Sequence, residues 1–110
     1  MQILNELIET LGLKLPITLI VRTRSNKLCD AYYLPIHSDR TAKLKGHKVV
    51  IYTKDVQRSF DTLLAHELIH AWQEENKKYE THGKHFKKLA KQLESKFNLT
   101  EIYIEGVDEK

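Results

Sequence analysis

A single cysteine, Cys29, leaves no partner for an intramolecular disulfide and too few thiols for a zinc ribbon. A reducing compartment is the expectation, with Cys29 a small buried side chain on a strand. No segment approaches the roughly 20 apolar residues that a membrane span needs. The first residues lack a basic stretch followed by an unbroken apolar run, because Glu6 and Glu9 interrupt it. We therefore expect a cytoplasmic protein with no membrane partner. Internal repeats, low-complexity tracts and linkers are also missing. Neither sign of charge is in strong excess: 18 Lys and Arg against 15 Asp and Glu give a net charge of +3, too mild to establish a nucleic-acid partner alone.

What is present is an ordinary globular composition, 41% hydrophobic and 30% charged. With 110 residues, the chain reads as one domain over 1–110, with 105–110 a frayed tail, and as a monomer. The pattern is α+β. Ile3, Leu4, Leu7, Ile8 and Leu11 recur at helical spacing, and Gly12 stands where a helix would end. Strands are expected over Ile17–Thr23, Leu28–Leu34 and His47–Thr53, all rich in β-branched and aromatic residues. The first two suggest a hairpin, hence a three-stranded, mostly antiparallel sheet. Pro35 to Gly46 is polar and basic and reads as a loop, with His37 and His47 as solvent histidines beside it. A long helix follows to about Asn76, capped by Asp55 or Ser59. A last helix, with Thr81 as candidate cap, carries Phe86, Leu89, Ala90, Leu93 and Phe97 on one face. Ile102 and Ile104 suggest a short final strand.

The chemistry concentrates in His66-Glu67-Leu68-Ile69-His70, an HExxH motif inside the long apolar helix. Residues four apart share a helix face, with Cβ atoms roughly 5–6 Å apart, so both imidazoles can reach one ion. Glu67 is turned about 100° away. It points beside the ion, where a carboxylate can take a proton from a water that the metal has made acidic. Three fixed positions in five match often by chance. Here the intervening Leu68 and Ile69 and the apolar surroundings demand a buried helix, which favours a metal site over surface residues.

A catalytic zinc takes three protein ligands and keeps one position open. Glu74 fails as the third ligand, because eight residues from His66 span about 12 Å along the axis. The ligand must follow a chain reversal, which leaves Glu80, His82 and His85. His82 is the preferred choice, at the start of the next helix with Gly83 giving room for close approach. His85 is a backup ligand or a group facing the other ligands or the substrate.

HExxH followed by His82-Gly83-Lys84-His85-Phe86, together with Thr62-Leu63-Leu64 before and Ala71-Trp72 after the first motif, resembles the SprT-like metallopeptidases. The likeness covers about residues 1 to 97 and implies a minimal zincin-like fold of N-terminal helix, three strands, active-site helix and third-ligand helix. It implies one Zn²⁺ on His66, His70 and His82, Glu67 as catalytic base, and peptidase activity on a protein or peptide substrate. Relatives of the Spartan type degrade proteins crosslinked to DNA. This chain departs from many relatives in lacking a C-terminal zinc ribbon, and in having His85 where an acidic residue is frequent.

The leading expectation is zinc-dependent peptide hydrolysis, with Tyr52, Tyr33, Tyr79 or His85 as oxyanion donor and strand His47–Thr53 as an edge that holds extended substrate. The competing expectations are a nucleic-acid-binding module, using Lys84, Lys87, Lys88 and Lys91 as phosphate contacts, and a purely structural zinc site closed by His85.

Overall fold

The computed structural model describes residues 1–108. Its elements run α1 (Gln2–Leu11), β1 (Ile17–Arg22), β2 (Ala31–His37), β3 (Leu44–Tyr52), α2 (Phe60–Asn76) and α3 (Lys84–Phe97). The architecture is α+β as the sequence indicates. Helix α1 buries Leu7 and Leu11 and ends at Gly12, whose left-handed backbone (φ 68°) lets its N–H bond back to the last turn. No helix among the described residues is long and apolar enough to cross a membrane.

The sheet corrects the expected hairpin. Its order is β1-β3-β2: β3 pairs in parallel with β1 and antiparallel with β2, so the sheet is mixed and β1 never meets β2. The reason lies in β3, whose run Val49-Val50-Ile51-Tyr52 is buried on both faces. A strand apolar on both sides belongs in the middle of a sheet, whereas the half-polar β1 and β2 tolerate edges. β2 also starts later than expected and continues through Pro35, Ile36 and His37, residues that read as loop. Proline has no N–H for a ladder, which an edge strand tolerates on its open side.

Strand alternation then sorts the side chains. Val49 and Ile51 face the helices, and so do their register partners Tyr33 and Ala31 on β2 and Leu19 on β1. Val50 and Tyr52 face the other way. Against the helix-facing side lies α2, which also packs on α1 and α3. Its Leu64, Leu68 and Ile69 are wholly buried; each such side chain contributes roughly 1.5–3 kcal/mol by leaving water. Ser59 caps α2, its hydroxyl accepting from the Thr62 N–H at 3.2 Å. Asp55 does not.

Three smaller expectations also change. Thr81 does not cap α3; Gly83 stands at that position with no side-chain cap. Cys29 is half-buried in the loop before β2, not on a strand. Residues 102–104 form no strand: Ile102 is a fully buried plug in the core, and the segment after it turns back so that Asp108 meets Arg58 at 2.8 Å. Of the tail expected to fray, residues 105–108 are described and Glu109 and Lys110 lie outside the described residues.

Candidate metal centre

HExxH lies in the second and third turns of α2, and the helix delivers it as its spacing demands. The ring centroids of His66 and His70 are 5.1 Å apart. His82, in the turn before α3, completes a near-equilateral triangle, at 5.1 Å from His66 and 5.0 Å from His70. One nitrogen from each ring lies within 4.8 Å of the others, so the trio can hold a metal ion. Beneath them sits Phe86, fully buried, with its ring 4.8, 4.9 and 4.8 Å from His66, His70 and His82 respectively. The first turn of α3 thus supplies an apolar floor for a cluster of polar rings.

The outward nitrogens are held. His66 Nδ1–H donates to the Ile102 carbonyl at 2.7 Å, and His70 Nδ1–H to Gln73 Oε1 at 2.9 Å. His82 has a hydrogen bond to the Asp108 backbone. With Nδ1 protonated, Nε2 carries the lone pair and points inward. His66 Nε2 and His82 Nε2 are 3.2 Å apart. Burial pushes His66 and His70 down to about 4, partly opposed by the Ile102 carbonyl and by Gln73, and lowers His82 as well. All three rings are therefore neutral at pH 7, the state that donates to a metal.

Glu67 is 6% exposed, and burial raises its carboxyl to about 8 despite the opposing charge of Arg58. With His66 it lines two adjoining clefts. One, of about 390 Å³, is walled by Tyr33, His70, Gln73, Glu74 and Tyr79; the other, of about 400 Å³, by Cys29, Arg58 and Asp108. Ala31, the first residue of β2, borders both, so a groove passes Glu67 alongside the end of the sheet's free edge.

Several residues singled out from the sequence sit elsewhere. Tyr52 is on the far face of the sheet, 6.4 Å from the Tyr32 ring and beneath the Arg24 guanidinium. Two tyrosine rings face the cluster instead: Tyr33, 6.5 Å from His70, and Tyr103, which the sequence did not single out, 6.1 Å from His82. His85 is outside the trio and pairs with Glu80, its ring 6.2 Å from Trp72. Tyr79 lines the first cleft from the α2–α3 turn and is largely exposed. Lys84, Lys87, Lys88 and Lys91 are exposed along α3. β3 is the central strand, so the edge beside the groove is β2.

His47 is not a solvent histidine. It is fully buried and bridges Glu75 to the Tyr33 hydroxyl at 2.7 Å on each side. The signal was present: His47, Val49 and Ile51 alternate on one strand face, and Glu75 continues the helix stripe Leu64, Leu68, Ala71. The contribution of Ile102 carried no such signal, since a backbone carbonyl is the same for every residue type. No curated protein and no solved structure matches the chain. A model of the SprT-like family matches residues 23–105, from the end of β1 through both histidine motifs to the segment bearing Ile102, and the chain belongs to that family.

Proposed function

We propose that this protein is a zinc-dependent peptidase, with His66, His70 and His82 as ligands and Glu67 as general base. The supporting observation is the histidine triangle with Glu67 beside it on the open side. The donor set fits zinc: two ligands on a tetrahedral ion with bonds of about 2.05 Å are separated by about 3.3 Å, and His66 Nε2 and His82 Nε2 stand 3.2 Å apart. Three protein donors with His85 engaged elsewhere match a catalytic rather than a closed structural site.

Zinc, when bound, supplies a Lewis acid that polarises a peptide carbonyl and makes water a competent nucleophile near neutral pH. The rest falls to the chain. Glu67 accepts the proton of the attacking water and passes it to the leaving amine. The groove along β2 presents a free strand edge to an extended substrate. Tyr33 walls the same groove.

The test is Glu67→Gln. The variant is expected to retain one zinc per chain and to lose cleavage of fluorescein-labelled casein by a factor of about 10²–10⁴. Unchanged cleavage removes Glu67 from the reaction; failure of the wild-type protein to bind zinc removes the whole reading.

A second reading, binding of nucleic acid, is favoured by one observation. Lys84, Lys87, Lys88 and Lys91 follow i, i+3, i+4, i+7 spacing and form one exposed stripe on the helix that begins beside His82. Such a stripe suits a phosphate backbone and is compatible with a peptidase that acts on DNA-associated proteins.

A further inference from the structure

Gln73 is 4% exposed, and its Nε2 is the one buried side-chain polar atom among the described residues without a hydrogen-bond partner. A buried amide donor left unmet costs about 1–3 kcal/mol. Gln73 stands one helical turn after His70 and walls the first cleft together with His66, Glu67 and His70.

Its orientation is fixed by its neighbour. A histidine that binds metal through Nε2 must carry its proton on Nδ1. His70 Nδ1 is 2.9 Å from Gln73 Oε1, and only the oxygen of an amide can accept that proton. The amide cannot flip without opposing two N–H donors. Ligation by His70 therefore commits Gln73 to turn its NH₂ away from the imidazole; Nε2 has no free surface in this structure, so an acceptor in the cleft that Gln73 walls meets it when a neighbouring side chain gives way.

We propose that Gln73 has two roles: it positions His70 through Oε1, and it donates from Nε2 to a carbonyl oxygen of the peptide bound in the cleft. The inference rests on the peptidase reading through His70 as a ligand. One amide then ties the ligand geometry to substrate placement, because a shift of its oxygen moves its NH₂ as well. The acceptor is a neutral carbonyl; Glu67 and Glu74 on the same wall disfavour a third carboxylate there.

Two substitutions separate the roles. Gln73→Glu keeps an acceptor for His70 and removes the donor. Zinc affinity, read by chelator competition, is expected to stay within a few-fold of wild type, while KM for labelled casein rises at least tenfold with kcat little changed. Gln73→Met removes both, and zinc affinity is expected to fall by about 10–100-fold. A third measurement needs neither substitution nor turnover: in zinc-loaded Glu67→Gln protein, the Gln73 side-chain amide resonances should shift when a casein-derived peptide is added. Wild-type KM in Gln73→Glu, or unmoved amide resonances while the peptide binds, means that the donor serves only a buried water, and the substrate role falls. Unchanged zinc affinity in Gln73→Met removes the positioning role. Failure of the zinc-loaded wild-type protein to cleave casein would count against the peptidase reading and leaves these zinc and resonance measurements readable by themselves.

Discussion

His47 Nε2 donates to Glu75 Oε2 at 2.7 Å, joining the central strand to the last turn of the helix that carries His66 and His70. The same carboxylate accepts the backbone N–H groups of Lys14 and Leu15 at 2.9 and 3.1 Å. On its other side the His47 ring takes the Tyr33 hydroxyl, so β2, β3, α2 and the α1–β1 connection meet at one group. Glu75→Ala leaves a fully buried imidazole N–H and two backbone donors without their acceptor. A loss of about 3 kcal/mol in urea unfolding is expected; a loss below about 0.5 kcal/mol would mean that the junction contributes nothing.

The same carboxylate sets a pH dependence. Burial opposes its charge, but the hydrogen bonds from His47, Lys14 and Leu15 together hold its pKa below the ordinary carboxylate value. A group depressed in the folded state binds its proton more readily when unfolded, so it stabilises the fold above the unfolded value of about 4.3. That contribution disappears as pH falls through the lower folded-state value. Urea midpoints measured between pH 6 and pH 3 should therefore decline more steeply for wild type than for Glu75→Gln.

Zinc should stabilise the protein by mass action, since the unfolded chain does not hold the three rings together. At free zinc a hundred times the dissociation constant the gain is about 2.7 kcal/mol, visible as a rise in Tm. His82→Ala leaves two ligands on one helix and should abolish most of that rise. An equal rise in both proteins would place the ion elsewhere.

Phe86→Ala removes the ring that touches all three imidazoles. A fully buried phenylalanine costs about 3–5 kcal/mol when truncated, and zinc affinity should fall with it because the rings lose their common floor. Denaturant unfolding and chelator competition on the same preparation read the two effects.

For the lysine stripe, replacement of Lys84, Lys87, Lys88 and Lys91 by Gln should weaken binding to a DNA duplex at low salt. The slope of log affinity against log salt should flatten by about 0.9 for each phosphate contact removed. Gel shifts at 25 and 150 mM salt decide; equal binding by both proteins would leave the stripe as a solvated face.

The helices were legible because their apolar spacing and their punctuation agree: Gly12 ends α1, Ser59 opens α2, and Phe86, Leu89, Ala90 and Leu93 mark one side of α3. The histidine trio was legible for the same reason, since His66 and His70 are fixed by one helix and His82 by the reversal that must follow. Strand order was not. β1 and β2 each carry one apolar face and could equally have paired with each other; β3 takes the place between them because it is apolar on both faces. Once β3 is central, the free edge beside the groove is β2, Tyr52 turns away from the cluster and Tyr33 turns towards it.

The carbonyl of Ile102 holds the proton of His66 thirty-six positions back along the chain. A shortened protein ending at Leu99 would retain His66, Glu67, His70, His82 and all six regular elements, yet His66 would be free to swivel and the cavity left by Ile102 would admit water beneath it. Trimming this chain to its motifs would keep the parts and discard the latch that aims them.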